Sequence, residues 1–500
     1  MTLGEMLATT ARKYPRRTAL VFEGRKYTYR ELDELAEGFA ARLAGLGAGP
    51  GGHVGLLLGN CPEFVAGYFG IAKSGAAAVP LNTFLTVPEL EYIIKDAGIE
   101  VLVSSPEFSD KIPELRKSSE GLKYIVCATG KMDGAVPMAD VAVKGGRGTG
   151  ASGGSEPAAV LYTSGTTGRP KGAILTHTNL LSNAASCASA FKVTGSDRFL
   201  LFLPMFHSFA FLVCMLLPLS AGARVTILTS VKPFSKVIKG IVFGRTTLFV
   251  AIPPIYNLLS MKKFPWIVLK LLSLRLCVSG AAPLAGNVLA RFAANFPFPL
   301  LEGYGLTEAS PVVCCNPLEG IRKQGSVGPP IPGVEVKIVD GQERELPTGE
   351  TGEVIVRGPN VMKGYLGNDA ATRDTIRGGW LFTGDMGRLD EDGYLYIVDR
   401  LKDLILVHGM NVYPREVEEA LHQHPAVKEA AVIGVPEPGH TEFPKAFITL
   451  MDGSNATEKE LKAFLRGRLA SYKVPRQITF MDALPMTPTG KVMKKALKGV

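Results

Sequence analysis

Tyr162-Thr163-Ser164-Gly165-Thr166-Thr167-Gly168-Arg169-Pro170-Lys171-Gly172 is the most informative stretch of the 500-residue chain. Its three glycines let the backbone bend closely around an anion. Four hydroxyls and the backbone N–H groups can donate to phosphate oxygens, and Lys171 adds positive charge. The GxxxxGK[ST] spacing of a Walker A loop is absent. The stretch reads as a phosphate-binding loop. The competing reading is a polar surface turn, but a turn needs only one or two such residues.

Upstream, Lys144–Pro157 (KGGRGTGASGGSEP) is almost pure loop composition, a connector placed just before this segment. The first 150 residues before it alternate strand and helix patterns. Thr28 and Glu31 form a capping-box pair, followed by Leu32, Leu35, Ala36, Phe39 and Leu43 at helical spacing. Val54–Leu58 is a continuous apolar run suited to a strand buried on both faces. Pro62 opens a second helix, and Ala76–Val79 reads as the next strand. The alternation predicts parallel βαβ units, an α/β fold.

Downstream, the pattern restarts near Asp399–Lys402 as a compact α+β unit of about 100 residues. It predicts a helix near Pro414–His424, strands near Ala430–Val435 and Ala446–Met451, and a helix near Glu458–Ala470. A chain of this length, 46% apolar, has enough material for more than one core and is not disordered.

Charge is unevenly spread. The net charge is +9, yet Arg198–Leu301 contains no Asp or Glu and eleven Lys or Arg, leaving −2 for the rest. Such a stretch attracts nucleotide phosphates, coenzyme A or anionic lipid headgroups. Lysines scattered around a buried core are the plainer alternative. Phe199–Leu219 is the most apolar run, but Pro204, Pro218 and His207-Ser208 interrupt it. A buried strand–loop–helix fits it better than a membrane span. The N-terminus meets Glu5 and Arg12-Lys13 with no apolar leader. The seven cysteines show no CxxC or His-containing metal spacing, so free thiols in a reducing cytoplasm are expected.

Further motifs follow the first in a fixed order. They are Ser279-Gly280-Ala281-Ala282-Pro283, Glu302-Gly303-Tyr304-Gly305-Leu306-Thr307-Glu308 and Thr383-Gly384-Asp385. Asp399-Arg400-Leu401-Lys402-Asp403 then leads into Gly409–Glu418, and Pro488-Thr489-Gly490-Lys491 comes last. Together they resemble the adenylate-forming superfamily of acyl-CoA synthetases, firefly luciferase and peptide-synthetase adenylation domains, over nearly the whole chain. The sequence is most similar to the fatty acyl-CoA synthetases. The resemblance implies a large N-terminal domain (1–400) of βαβ-type sheets with helices plus a β-barrel-like part. It also implies a small mobile α+β C-terminal domain (401–500), hinged near Lys402.

The implied activity makes acyl-AMP from a carboxylic acid and ATP with Mg2+, then passes the acyl group to coenzyme A. Thr163, Ser164, Gly165, Thr166, Thr167, Gly168 and Lys171 would hold phosphates. Gly280, Ala281 and Ala282 would flank adenine opposite the Tyr304 ring, with Gly303 and Gly305 beside it. Asp385 and Arg400 would hold the ribose, Thr307 the α-phosphate and Glu308 the Mg2+. Lys491 would stabilise the charge that builds as a carboxylate attacks the α-phosphate; otherwise it is one more lysine of a basic tail. In a second pose, His408 and Gly409 would line the pantetheine channel.

The Pro204–Ser208 segment lacks the Asp with which amino-acid-activating domains pair an α-ammonium, so an amino-acid substrate is not expected. No carrier domain follows Lys491, so free coenzyme A is the expected acceptor. His207 reads either as a residue near the substrate carboxylate or as a core histidine, with Phe206, Phe209 and Phe211 as candidate walls of an apolar acyl pocket. Two segments depart from the family pattern, Pro438–Phe443 in place of Trp-Gly-Glu and Lys494-Lys495 in place of an Arg. Both bear on coenzyme A contacts more than on adenylation. Loading of a separate carrier protein, luciferase-type oxidation and a non-catalytic nucleotide-binding scaffold are the alternatives; Lys491, Asp385 and Glu308 weigh against the last. The expected partners are small molecules and not nucleic acid. The basic 198–301 segment is a candidate for peripheral membrane contact, and a homodimer is compatible with this reading.

Overall fold

The computed structural model describes residues 1–138, 153–163, 169–407, 410–437, 441–486 and 492–498. Local signals decide the first elements. The Thr28 hydroxyl accepts from the Glu31 N–H (3.2 Å) while the Glu31 carboxylate accepts from the Thr28 N–H (2.6 Å), starting helix Tyr29–Gly45. Helix Pro62–Ser74 opens on proline and ends on Gly75 at φ +83°. The two helices cross so closely that a Cβ on Gly70 would overlap Phe39.

Among the described residues the chain builds two eight-stranded sheets, one five-stranded antiparallel sheet, and in the C-terminal part a two-stranded ribbon and a sheet of three strands. His53–Leu57 sits between Ala77–Pro80 and Val101–Ser104, all parallel, and Tyr124–Cys127 continues the run. The hairpin Pro157–Thr163/Lys171–Thr176 joins this sheet next to Ala77–Pro80, and Gly364–Tyr365 caps its edge. The second large sheet runs in parallel through Arg224–Ile227, Arg198–Leu201, Leu248–Ala251, Leu276–Ser279 and Leu300–Gly305. One core cluster draws on both sheets, with Val54 and Ala78 from one and Leu20 and Val225 from the other.

The first 150 residues do not all serve one sheet. Thr18–Phe22 pairs in parallel with Arg224–Ile227, so the N-terminal hairpin completes the distant sheet. Local pattern marks a strand; it does not say which strand lies beside it. Phe199–Leu219 is a strand, a turn and a buried helical stretch, and no described helix is long and apolar enough to cross a membrane. Of the Lys144–Pro157 connector, residues 144–152 lie outside the described residues, and Pro157 already opens a strand.

The five-stranded sheet pairs Gly352–Arg357 with Trp380–Leu389, which in turn pairs with Leu395–Arg400. After Leu395–Arg400 a separate apolar core forms around Ile405, Val417, Leu421, Val432, Ala446 and Leu461. Helices Pro414–His422 and Glu458–Arg466 and strands Val427–Glu437 and Thr441–Leu450 fall where the sequence predicts them. The molecule is thus a large N-terminal α/β domain followed by a smaller α+β one. Asp399 ties them together. Its carboxylate accepts from the Arg400 N–H (2.8 Å) and from the Arg415 N–H (2.7 Å) in the first turn of helix Pro414–His422. The Arg415 guanidinium also donates to the Ile397 carbonyl (2.8 Å).

Candidate active site

The site draws residues from strands of the three larger sheets. Strand Leu300–Gly305 brings Tyr304, whose hydroxyl donates to Asp385 Oδ2 at 2.5 Å. Asp385 sits opposite Arg400 in the register of the five-stranded sheet, with Arg400 Nε 3.5 Å from Oδ1. Thr383 fixes the turn before it, accepting from the Asp385 N–H (3.1 Å). Burial first, then the Asp385 carboxylate, holds the Tyr304 phenol well above its usual range, so it stays a donor. A Cβ on Gly305 would overlap the Pro311 carbonyl, so only glycine permits this strand its path. On the neighbouring strand end, a Cβ on Gly280 would lie 2.9 Å from the Phe209 ring, and Ala281 adopts φ +67°. A non-glycine residue there carries strain of the kind that concentrates at binding sites.

The hairpin register sets Thr163 directly opposite Lys171. Ser164–Gly168, between them, lie outside the described residues, as do His408, Gly409 and Lys491. Thr163 Oγ1 is 3.4 Å from Glu308 Oε1, and Tyr365 donates to the same oxygen at 2.9 Å. The Lys171 ammonium lies 5.2 Å over the Tyr365 ring. One face therefore gathers a lysine, two hydroxyls and a carboxylate, with Thr307 one residue before Glu308.

Thr307 is tied to the other side of the cleft. Its hydroxyl lies 3.0 Å from that of Ser208. The Pro204–Ser208 turn is thereby fixed to the Thr307–Glu308 motif, with His207 part-buried beside Ser208. Phe209 faces Gly280. Phe211, expected as a pocket wall, is fully buried instead, edge-on to Tyr68 with centroids 4.6 Å apart. At helical spacing it turns into the core. Sequence reasoning passed over Ser208, Tyr365 and Thr383 as individual residues. Ser208 and Thr383 stand inside quoted motifs, whereas Tyr365, in a plain Gly-Tyr-Leu-Gly turn, carries no local signal at all.

The AMP-binding enzyme family matches residues 7–366, and the AMP-binding enzyme C-terminal domain matches residues 416–491. The chain belongs to this family. Feruloyl-CoA synthase of Amycolatopsis sp is 36% identical to it over 98% of this chain and 97% of that protein. Long-chain-fatty-acid–CoA ligase of Bacillus subtilis is also 36% identical, over 99% of this chain and 94% of that protein. Among solved structures, ATP-bound MatB from Rhodopseudomonas palustris superposes with a TM-score of 0.90 at 32% identity, covering 100% of this chain and 99% of that one. The protein is an AMP-forming acid–coenzyme A ligase that uses ATP, Mg2+ and coenzyme A.

The residues of this AMP-binding enzyme fit a magnesium ion that arrives with its nucleotide. Among the described residues no group of three His, Cys, Asp or Glu could cage a metal. Mg2+ needs only one or two carboxylates when substrate phosphates complete its shell, and Glu308, beside Thr163 and Tyr365, would offer one.

Glu302 opens the Tyr304 motif but has a different task. It is buried, accepts from the Leu284 N–H (2.9 Å), and holds the segment after Gly280–Ala282 against strand Leu300–Gly305. Burial pushes its carboxyl up to about 7, opposed by the Leu284 N–H and by Arg415 of the small domain. The folded state therefore keeps this proton after the unfolded chain has lost it. The resulting stability is fully present below the ordinary glutamate range and lost as pH rises through about 7. Glu302→Gln removes this dependence while keeping the acceptor. The melting temperature of the wild type should fall more between about pH 5 and about pH 8 than that of the variant; parallel curves would reject the assignment.

Proposed function

We propose that the enzyme ligates an apolar carboxylic acid, foremost a medium- or long-chain fatty acid, to coenzyme A. The observation that carries this reading is the acid-free wall of the cleft. No Asp or Glu occurs from Arg198 to Leu301, and within that span the Pro204–Ser208 turn is pinned to Thr307 by Ser208. A substrate ammonium has no anion to meet there, while Phe209 offers an apolar face. The identity shared with a feruloyl-CoA synthase supports an aryl-propenoic acid as the second candidate class.

In the first step a carboxylate oxygen attacks the α-phosphorus and the bond to pyrophosphate breaks. Tyr304 and the Gly280–Ala282 backbone sandwich adenine, Asp385 and Arg400 take the ribose hydroxyls, and Thr163, Lys171 and the intervening loop hold the phosphates. Thr307 and Lys491 donate to the α-phosphate, where negative charge accumulates. Glu308 would hold Mg2+, which when bound would neutralise charge on the phosphates. His207 lies on the carboxylate side. In the second step the coenzyme A sulfur attacks the acyl carbon, the bond to AMP breaks, and the thiol proton leaves to solvent. Positioning dominates this step because AMP is already a good leaving group.

The two steps use two poses of the 401–500 domain, turning at Lys402, with His408 and Gly409 lining the pantetheine channel in the second. The Asp399 and Arg415 contacts straddle that pivot, so they are the ones that rotation exchanges. Support for the first pose here is the closer match to ATP-bound MatB (TM-score 0.90) than to apo MatB (0.79).

Product analysis with ATP, coenzyme A and a panel of fatty, cinnamic and benzoic acids tests the substrate. Turnover highest with fatty acids is expected; AMP release without any acyl-CoA would reject the ligase reading. Lys491→Ala should slow acyl-AMP formation on the order of a hundredfold or more while sparing thioester formation from supplied acyl-AMP. Equal loss of both steps would contradict the division of labour. Tyr365→Phe should raise the Mg2+ concentration for half-maximal activity roughly fivefold, the equivalent of one hydrogen bond to Glu308, with the fatty-acid KM unchanged.

A further inference from the structure

The part of the acid-free segment remote from the cleft has a distinct surface. Helix Trp266–Leu271 buries none of its residues. Trp266 is 64% exposed, Ile267 54% and Leu271 77%, with Phe243 at 80%. Single exposed apolar residues are ordinary; a cluster this open marks an interaction surface.

Topology gathers it at one end of the molecule. Phe243 closes the helix leading into strand Leu248–Ala251, Met261 follows the helix leaving that strand, and Trp266–Leu271 leads into strand Leu276–Ser279. These strands are parallel, so all three segments lie at the sheet's N-terminal edge. Gly280–Ala282 follows the opposite, C-terminal edge. The cluster is therefore not part of the nucleotide cleft.

Its polar residues are all cationic. Lys262, Lys263 and Lys270 stand among the apolar side chains and have no acidic partner among the described residues; the Lys270 ammonium lies 4.6 Å over the Trp266 ring. Protein–protein interface cores are depleted in lysine. Trp and Leu interspersed with unpaired lysines, which keep their ammonium groups at headgroup level, are the pattern of a surface that lies on a lipid bilayer. The segment that forms this face, within Arg198–Leu301, contributes no Asp or Glu to oppose an anionic membrane.

We propose that Phe243, Met261 and the Trp266–Leu271 helix, with Lys262, Lys263 and Lys270, form a docking face for an anionic lipid bilayer. The apolar side chains enter the headgroup boundary and the lysines meet lipid phosphates.

Full-length protein is co-sedimented with phosphatidylcholine vesicles with and without about a quarter phosphatidylglycerol. Binding to the anionic vesicles should exceed that to the neutral ones at low salt and weaken as salt rises. Lys262→Glu with Lys263→Glu should lower partitioning roughly tenfold or more, and Ile267→Ser with Leu271→Ser by a similar factor. Neither pair should change adenylation of a short water-soluble acid, which also certifies folding. The chain has two tryptophans, so Trp380→Phe isolates Trp266. Its emission should shift to the blue on anionic vesicles and be quenched by brominated lipid. Binding indifferent to lipid charge or to these substitutions, or an unshifted Trp266, would overturn the proposal. So would a solution dimer that Leu271→Ser dissociates, which would give the face to a second copy of the chain.

Discussion

The hydrogen bond from Tyr304 to Asp385 is the contact on which the cleft depends. It crosses from the last parallel strand of one eight-stranded sheet to the middle strand of the five-stranded sheet. A flat ring and a carboxylate are thereby held in one place by two sheets that also share one apolar core, with Leu301 from the first and Val354 and Leu381 from the second. The pairing is demanding. The strand must pass close to Pro311, which requires Gly305, and the carboxylate must keep one oxygen toward Arg400. Ser208–Thr307 and Tyr365–Glu308 repeat the arrangement on a smaller scale, each binding residues from distant segments to one short stretch, Thr307–Glu308. The active site is in this sense a seam, and its hydrogen bonds are what close it.

Much of this was legible in the sequence because the informative features are local. The capping box at Thr28, the proline at the start of the second helix and the elements of the C-terminal unit depend on neighbours within a few residues, and they fall where they are read. The residues expected at adenine, ribose and metal stand in short motifs whose order carries their meaning. What was not legible depends on distance. Thr18–Phe22 looks like any strand of a βαβ series, and only the whole fold sends it to the other sheet. Tyr365 meets Glu308 across 57 positions, with nothing in its own surroundings to announce it. Phe211 resembles Phe206 and Phe209 in sequence, but rotation along a buried helical stretch turns it into the core.

The same physics separates two uses of the acid-free segment. At the C-terminal ends of its strands the missing carboxylates leave Phe209 and the Pro204–Ser208 turn without an acid from that segment, the wall proposed for the substrate. At the N-terminal ends they leave lysines without partners around exposed tryptophan and leucine. One compositional bias thus produces a cleft suited to an uncharged tail and, at the far end of the sheet, a surface suited to the phase in which such tails accumulate.

The seven cysteines have a further consequence. All are free thiols, and burial drives each above the ordinary range, with Cys61, Cys214, Cys277 and Cys315 pushed up to about 12. Cys315 lies against Gly303, one residue from Tyr304, the ring proposed to stack on adenine. An acyl-adenylate is an acylating agent, and a thiolate within reach would be its natural victim. Six of its own sulfurs are buried and all seven are held protonated, which favours the incoming cosubstrate as the sulfur nucleophile. Selectivity for the acceptor is thereby favoured by self-restraint: thiols held protonated near a mixed anhydride are poor competitors for its acyl group.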